Sequence, residues 1–206
     1  MLKKVWLYIE QSWLLIISSF IFGLMIAVTN AAWQPRIEQN KKDKLNKLMN
    51  VLIADAKFEL AVPDVQVDLG RGKFAKSDVY KAVGPDGSCK GYCFGAEGAG
   101  FADKIELVIA VDAAFEKIEG YSVLSSNETP GFGDQIVNDF YRQQFIGAPL
   151  GKLNLEKKGD DKKIDDEIVA ISGATVSSTA VVNIFNNYLE QIKEKITAKE
   201  MSADGK

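Results

Sequence analysis

The longest apolar run of the chain lies close to its N-terminus. No charged residue occurs over residues 11–35, and the middle of this stretch is strongly apolar. A helix of about 20 residues crosses the hydrocarbon core of a bilayer, so the run is long enough to span a membrane. Trp13 and Trp33 edge the segment, as interfacial tryptophans do. We predict a short tail over residues 1–10 and one retained transmembrane helix over residues 11–33, since the apolar region of a cleaved signal peptide is shorter.

The pattern becomes amphipathic over residues 34–60. Apolar residues recur there at three- and four-residue steps, with lysines between them, at Leu45, Leu48, Met49, Leu52 and Ile53. This spacing is typical of a helix with one apolar and one solvated face. We predict a connecting helix whose basic face is solvated, and a docking surface for partner subunits is the alternative.

Short strands separated by glycines are predicted beyond residue 61. Apolar residues alternate with others over residues 105–111, with the period of two that is typical of a strand with one buried face. The predicted strands are Gly91–Phe94, Lys104–Val111 and Ile118–Leu124. Because the connections between them are too short for crossover helices, we predict an antiparallel sheet. We predict a flexible turn for the glycine-rich stretch Gly95–Phe101.

A long amphipathic helix is predicted near the C-terminus, after residue 174. Its apolar residues recur at three- and four-residue steps, at Val181, Val182, Phe185, Tyr188, Leu189, Ile192 and Ile196. Such a helix packs one face on a sheet. The predicted fold class is therefore α+β, with a single domain of antiparallel sheet and packed helices over residues 61–198 and a tail over residues 199–206.

Composition excludes several kinds of chemistry. The chain of 206 residues has no histidine, the commonest general base and the commonest transition-metal ligand in proteins. A Ser-His-Asp mechanism is therefore excluded. Its net charge of −3 is near neutral and no basic face with interleaved aromatic residues stands out, so we predict no nucleic-acid partner. Two cysteines are too few for an iron–sulfur cluster, which usually needs four thiolates, and we predict no metal site.

Cys89 and Cys93 are predicted to be free thiols. In an extended strand four steps span about 13 Å, whereas the Cα atoms of a disulfide lie about 5–6 Å apart. Both side chains then lie on the same face of the strand. A tight turn at Gly91 is the alternative, and it would allow a disulfide.

The segment Ser172–Thr179 carries the most informative chemistry. It joins a short apolar strand, Ile168–Ile171, to the start of the last helix. A helix start has N–H groups without intrahelical partners and the positive end of the macrodipole, so small residues there leave room for a phosphate beside several hydroxyls. The alternative is an ordinary N-cap and turn, because Ser and Thr are common caps and Gly is common in turns.

The string Ser172-Gly173-Ala174-Thr175-x-x-Ser178 resembles the signature of the FMN-binding domain family. In that family the second hydroxyl residue of the signature is esterified to the phosphate of FMN. The resemblance implies that Thr175 carries FMN through a phosphoester bond, which a separate flavin transferase makes once. It also implies that Ser172, Gly173, Ala174 and Ser178 lie around the bound cofactor.

A second segment, Asn127–Asp134, resembles the Glu-Thr-Pro-Gly-Leu-Gly element of the same family, with Phe132 in place of the leucine. A proline followed by Gly131 fits a type II turn, since proline sets the first φ angle and glycine accepts a positive second one. The resemblance implies that Glu128, Thr129 and Gly131 form a wall of the flavin site. In the alternative interpretation Glu128 braces the loop, because its carboxylate would repel a nearby phosphate.

One position departs from the family pattern. Many members have an aspartate three residues before the signature serine, whereas this chain has Val169. Val169 favours a different class of function, an assembly or scaffold subunit that keeps the fold and carries no flavin.

The family includes the G subunit of Rnf-type electron transport complexes and the C subunit of sodium-translocating NADH:quinone reductases. Resemblance to the G subunit implies a flavoprotein that relays electrons within a membrane complex, where electron flow between ferredoxin and NAD is coupled to ion translocation. The chain would be one component of a translocase, with the other subunits as partners and no catalytic residue of its own. Its brevity favours the G subunit over the usually longer C subunit, and a stand-alone reductase at the cell surface is a further alternative.

Charges beside the apolar run bear on orientation. Two lysines, Lys3 and Lys4, precede the run. Five basic residues follow it, Arg36, Lys41, Lys42, Lys44 and Lys47. Counting these charges by the positive-inside rule would place the domain in the cytoplasm. The resemblance implies the opposite, a single-pass protein of the inner (cytoplasmic) membrane with a cytoplasmic tail and the FMN domain on the extracytoplasmic side, and this is the orientation that we predict.

Overall fold

The structure, a computed structural model, describes the backbone of residues 2–70 and 72–204 and the side chains of residues 12–70 and 72–199. The chain divides into two units, Met1–Asp43 and Lys44–Lys206. The helices and strands, in chain order, are α1 Leu2–Leu52, β1 Lys57–Asp68, β2 Phe74–Val83, β3 Cys89–Ala99, β4 Lys104–Asp112, β5 Ile118–Ser125, α2 Asp139–Arg142, β6 Asn154–Glu156, β7 Glu167–Val169 and α3 Thr175–Asp204. Two 3₁₀ turns, Gly133–Val137 and Gln143–Phe145, flank α2.

The first unit consists of the greater part of helix α1. From Ser12 onward this helix is long and apolar enough to cross a membrane, and its most apolar window has a mean hydropathy of 2.1. Among the described residues no other helix has this length and composition. Large apolar side chains are exposed along it, Leu15 at 73% and Phe20 at 72%, so this surface requires an apolar environment. The predicted long apolar helix is confirmed, and the side chains of the predicted tail over residues 1–10 lie outside the described residues.

The ends of the two long helices differ from the predicted boundaries. Helix α1 continues without a break into the predicted connecting segment, ends at Leu52, and is followed by β1 from Lys57. Helix α3 continues to Asp204, into the segment predicted as a tail. The last two residues, 205 and 206, lie outside the described residues.

The second unit is built on a five-stranded antiparallel sheet with the order β1-β2-β3-β4-β5. Each strand pairs with its neighbour in the chain, because short connections allow antiparallel hairpins and not parallel crossovers. The predicted antiparallel sheet with packed helices is confirmed. Strands β6 and β7 form a separate parallel pair, which the sequence pattern did not predict.

Strand β4 is buried on both of its faces. Leu107 and Ile109 join a larger core together with Phe185 of α3. Val108, which lies between them, joins a smaller core together with Met49 in the last turns of α1. The sheet is therefore covered on both sides, and the larger core holds α3 against one of them.

Two amide side chains fasten α3 to the rest of the second unit. Asn186 accepts from the N–H of Leu153 and donates to its carbonyl, both at 2.8 Å. Gln191 binds the backbone of Asp68 at the end of β1 in the same way, at 2.8 and 3.0 Å. Each amide satisfies both backbone groups of its partner residue. The position of α3 on the sheet is therefore fixed by directional contacts as well as by the core.

Most of the glycine-rich stretch predicted as a flexible turn is strand. Strand β3 continues to Ala99 and pairs there with β4, with Gly98 opposite Ile105. A Cβ at Gly98 would lie 2.6 Å from Cγ1 of Ile184 in α3, so glycine is needed for the helix to approach the sheet. The prediction of a turn was wrong over residues 95–99, because these residues pair with β4 and Gly98 provides the space for α3.

Cys89 and Cys93 are free, as predicted, but they do not share a face of β3. Cys93 is fully buried in the smaller core, whereas Cys89 packs against the larger core. The register of β2 with β3 shifts between Ala82 and Val83, beside these residues. An irregularity of this kind interrupts the alternation of side chains, so the prediction of a shared face was wrong.

Candidate functional site

The signature residues form a tight turn directly before α3. The N–H of Ala174 donates to the carbonyl of Ile171 at 3.0 Å, and Gly173 has a φ of +79°. A positive φ at the third position is the mark of a type II turn, and glycine adopts it without strain. A Cβ at Gly173 would also lie 3.3 Å from Cδ1 of Phe132. Thr175, the first residue of α3, is held at the exit of this turn.

Ser178 ties the turn to the helix from the inside. Its hydroxyl is fully buried, donates to the carbonyl of Ala174 and accepts from the N–H of Ile171, both at 3.0 Å. The carbonyl of Ser178 accepts from the phenol of Tyr141 at 3.2 Å. Burial raises the pKa of this phenol, so it remains a donor at neutral pH. The Ser178 hydroxyl, predicted to contact a cofactor, is thus engaged within the chain.

The outer side of the same segment is open. Ser172 and Gly173 are exposed and Thr175 is half-buried. Within the described part of the chain, the hydroxyls of Ser172 and Thr175 make no hydrogen bond. Ala174 has no side-chain oxygen that could cap α3, so the N–H groups of the first helical turn are left for another acceptor. Two hydroxyls that make no hydrogen bond to the described residues therefore lie in the segment that begins α3.

The second motif forms another type II turn. The N–H of Phe132 donates to the carbonyl of Thr129 at 3.2 Å, and Gly131 has a φ of +79°. The N–H of Asp134 reaches the same carbonyl at 3.3 Å, and the amide of Gln135 donates to the carbonyl of Gly131 at 2.6 Å. The predicted turn conformation is confirmed. Thr129 and Gly131 are exposed on it.

Glu128 is buried at 6% exposure, and its carboxylate joins three separate segments. Oε1 accepts from the N–H groups of Phe101 and Ala102 at 2.9 and 3.1 Å. Oε2 accepts from the hydroxyl of Ser177 at 2.5 Å. A buried carboxylate needs such donors, and these three hold it in place. The geometry favours the bracing role of Glu128 over direct contact with a cofactor.

Close glycine contacts bring the two motifs together. Phe132 lies against Gly173, as described above, so one turn packs on the other. A Cβ at Gly133 would lie 2.5 Å from Oγ of Ser177 and 2.7 Å from Oε2 of Glu128. The two glycines of the second motif thus have different roles, since Gly131 supplies a positive φ and Gly133 supplies space.

Val169, the position that departs from the family pattern, is half-buried at the end of β7. Its N–H donates to Oε1 of Gln144 at 2.7 Å, and Nε2 of Gln144 donates to its carbonyl at 3.3 Å. The side chain borders Gly159, where an added Cβ would lie 3.0 Å from Cγ2 of Val169. The backbone that leads into the turn is therefore held through main-chain contacts that do not depend on the side chain at position 169.

A cleft of about 730 Å³ borders this cluster. It is lined by residues 97–104, by part of the β1–β2 connection and by one side of α3, including Ala180 and Asn183. Phe101 and Ala102 contribute both to this cleft and to the contacts of Glu128. Groups of three or more His, Cys, Asp or Glu residues that could hold a metal ion are absent from the described residues.

The structure gathers the predicted site residues into one cluster and separates them by side. Ser172, Gly173 and Thr175 lie on the outer side of the junction, and Thr129 and Gly131 are exposed on the neighbouring turn. The remaining three predicted residues are buried, Ala174, Ser178 and Glu128.

Sequence reasoning missed Ser177 and the contribution of residues 101–102. Ser177 lies within the signature but was not selected, and it is separated from its partner Glu128 by 49 positions. Residues 101 and 102 contribute backbone N–H groups, so the identity of their side chains does not indicate this contact. The useful clues were the glycines at 100 and 133, which leave the space that the carboxylate occupies.

Comparison with known proteins matches the FMN-binding domain family over residues 100–190, which include both motifs. The chain is 32% identical over 179 residues to the G subunit of the proton-translocating ferredoxin:NAD(+) oxidoreductase complex of Clostridium ljungdahlii, covering 86% of this chain and 88% of the relative. It is 25% identical over 178 residues to the G subunit of the ion-translocating oxidoreductase complex of Methanosarcina acetivorans, covering 86% and 90%. Its fold is similar to the crystal structure of Shewanella oneidensis NqrC, with a TM-score of 0.57 and 23% identity, over 72% of this chain and 76% of that chain.

Proposed function

Because the chain belongs to the FMN-binding domain family, which includes the G subunits of ion-translocating oxidoreductase complexes, we propose that it is the membrane-anchored flavoprotein subunit of such a complex, with FMN joined to Thr175 by a phosphoester bond. The observation that carries this proposal is the Thr175 hydroxyl, which makes no hydrogen bond to the described residues and lies at the uncapped start of α3, directly after the type II turn 171–174. The relatives named above support the coarser statement, a flavoprotein subunit of a translocating complex.

The residues present fit a flavin phosphate. The first-turn N–H groups of α3 and the macrodipole favour an anion there. The hydroxyl of Ser172 adds a donor, and Gly173 leaves the backbone accessible because it has no side chain. Ala174 is the reason that the helix start remains uncapped by its own chain. When bound, FMN would supply one-electron and two-electron transfer chemistry that the side chains of this chain lack.

Attachment requires a nucleophilic oxygen and a donor with a leaving group. Thr175 would supply the oxygen: Oγ1 would bond to the flavin phosphorus of a flavin adenine dinucleotide as the bond from that phosphorus to the adenylate breaks, and adenylate would leave. The hydroxyl proton passes to a base of the flavin transferase. The bond removes the dependence of occupancy on free FMN, which is expected to be scarce outside the cytoplasm.

The proposed place in the cell is the inner membrane, with α1 as the anchor and the flavin domain on the extracytoplasmic side. The apolar surface of α1 supports the anchor, and the family resemblance supports the side. Protease added to intact spheroplasts should then digest the domain. Protection in spheroplasts with digestion in inside-out vesicles would place the domain in the cytoplasm, as the charge count suggests.

In the complex, this subunit relays electrons between neighbouring redox centres, and the flow between ferredoxin and NAD is coupled to ion translocation. A relay subunit should co-migrate with several polytopic proteins after mild detergent extraction. A stand-alone reductase should migrate by itself. The alternative of a C-type subunit of a sodium-translocating NADH:quinone reductase is less well supported, because the match to a G subunit covers 88% of that relative.

The test is the intact mass of the full chain produced together with a flavin transferase, together with flavin fluorescence of the denatured band. We expect a mass gain of one FMN less one water, which disappears in Thr175→Ala and persists in Thr175→Ser. Thr197→Ala is the matched control, since it removes another threonine hydroxyl of α3, one that donates to the carbonyl of Lys193 at 2.9 Å, and leaves the junction over residues 172–179 intact. An unmodified chain beside an active transferase would overturn the proposal and leave the flavin-free scaffold, which Val169 favours.

A further inference from the structure

We propose that Ser177 and Glu128 form a positioning pair that aims the Thr175 hydroxyl during flavin attachment. This inference rests on the proposed function and assigns a role to Ser177. Both members of the pair are buried, Ser177 at 2% and Glu128 at 6% exposure. Their side chains meet at 2.5 Å, from Oγ of Ser177 to Oε2 of Glu128.

The carboxylate is a fixed point and not a mobile partner. Its other oxygen is held by the N–H groups of Phe101 and Ala102. The positions of Gly100 and Gly133 have no room for a Cβ, which would overlap Oε1 of Glu128 at the first position and lie 2.7 Å from Oε2 at the second. Hydrogen bonds and close backbone contacts therefore confine Glu128 from three segments of the chain.

Helix geometry transmits this fixed point to Thr175. An α-helix turns about 100° per residue, so two residues apart in the chain project about 200° apart around the axis. When Ser177 is bound inward to Glu128, Thr175 is turned to the opposite side. The hydrogen bond thus sets the rotation of the first turn of α3, and that rotation determines where the Thr175 hydroxyl lies.

The remainder of α3 does not depend on this pair. From Ala180 onward the helix is held by the larger core, through residues such as Val181 and Phe185, and by the amide of Asn186. When the pair is lost, Ser178 still holds the turn to the helix, so the first turn should remain helical without the contact that fixes its orientation to Glu128, and the body of the helix should remain packed. A positioning role therefore predicts a large effect on attachment and a small effect on folding.

The experiment measures the initial rate of covalent FMN incorporation into the purified full chain in detergent, with flavin adenine dinucleotide and a flavin transferase. We expect Ser177→Ala to be modified about 10- to 100-fold more slowly than the wild type, the loss that follows from a misplaced nucleophile. The matched control is Ser77→Ala in β2. Ser77 is also a buried serine, but its hydroxyl donates to the carbonyl of Gly95 at 2.6 Å. Ser77→Ala should be modified at the wild-type rate.

Conservative replacement of the partner separates positioning from charge. In Glu128→Gln the amide oxygen can accept from the two backbone N–H groups, and the amide nitrogen can donate to Ser177. We expect Glu128→Gln to be modified faster than Glu128→Ala. In the Glu128→Ala background, Ser177→Ala should cause little further slowing, because the pair acts as one unit.

Thermal unfolding of each variant is monitored by circular dichroism, so that a folding defect is recognised. If Ser177→Ala does not fold, the comparison of Glu128→Gln with Glu128→Ala decides the question. Equal rates for Ser177→Ala and Ser77→Ala, or additive effects of Ser177→Ala and Glu128→Ala, would overturn the positioning role. A wild-type chain that stays unmodified would overturn the proposed function instead, and this result is distinct from the other two.

Discussion

The inner and outer sides of the junction over residues 172–179 use the same kinds of side chain for different purposes. On the inner side the hydroxyls of Ser177 and Ser178 are buried and bound to Glu128 and to the turn. On the outer side the hydroxyls of Ser172 and Thr175 make no hydrogen bond to the described residues. Burial and hydrogen bonding therefore distinguish the hydroxyls that hold the site from those that remain available for chemistry.

The largest expected effect is the loss of covalent flavin when the Thr175 hydroxyl is removed. Thr175→Val keeps the shape of the outer residue and removes its hydroxyl, so covalent flavin should be lost altogether while thermal stability stays close to the wild type, within about 0.5 kcal/mol. In-gel flavin fluorescence of the denatured protein and thermal unfolding check the two parts. Fluorescence that survives denaturation in Thr175→Val would show that another residue carries the flavin.

Overfilling the inner side should be the next largest effect. Gly133→Ala places a methyl group 2.5 Å from Oγ of Ser177, and we expect a loss of about 1–3 kcal/mol in unfolding free energy. Gly151→Ala is the matched control, because nothing lies within 4 Å of its added Cβ. Denaturant titration compares the two variants. Equal unfolding free energies for the two variants would mean that the inner side accommodates the added methyl group, and would contradict the tight packing assigned to it.

Removing one hydroxyl from each side gives a smaller difference. Ser178→Ala leaves the buried N–H of Ile171 without its acceptor, which should cost about 1–3 kcal/mol of unfolding free energy. Ser172→Ala should change stability by less than about 0.5 kcal/mol, since its side chain is exposed and unbonded. Thermal melts of the two single variants provide the measurement. A Ser172→Ala variant that is as unstable as Ser178→Ala would contradict the assignment of sides.

The smallest effect concerns the phenol behind the inner side. Tyr141→Phe removes the donor to the carbonyl of Ser178, and we expect a loss of about 0.5–1.5 kcal/mol at neutral pH. Because burial raises the pKa of Tyr141, its contribution is complete below pH 10 and declines as the pH rises above this value. The unfolding free energy of the wild type should therefore fall more steeply above pH 10 than that of Tyr141→Phe. Parallel pH profiles would contradict this account.

Periodic and turn-forming segments could be predicted from the sequence. Each such pattern lies within one segment of the sequence, as in the apolar run of α1, the alternation in β4 and the helical spacing in α3. The positive φ of Gly131 follows from the preceding proline, because the rules of type II turns are local. The family signature added Thr175, which no periodicity would have distinguished from an ordinary cap.

Segments whose pattern is irregular could not be predicted individually. Strand β1 contains Pro63 and two register shifts, between Leu60 and Val62 and between Val62 and Val65, which break the period of two. Strands β6 and β7 have three residues each, too few to show a pattern. The contact of Ser177 with Glu128 joins distant positions, so no local rule reports it.

The contacts of Glu128 also make the site depend on the completed fold. The loop after β3, the turn after β5 and the first turn of α3 must all be in place before its carboxylate has its three donors. These contacts join segments 27 and 49 positions apart, so forming them requires chain closure over long distances, which has an entropic cost. If attachment requires this arrangement, the flavin transferase modifies only chains whose sheet and last helix have already docked. A chain that carries covalent flavin is then a correctly folded chain.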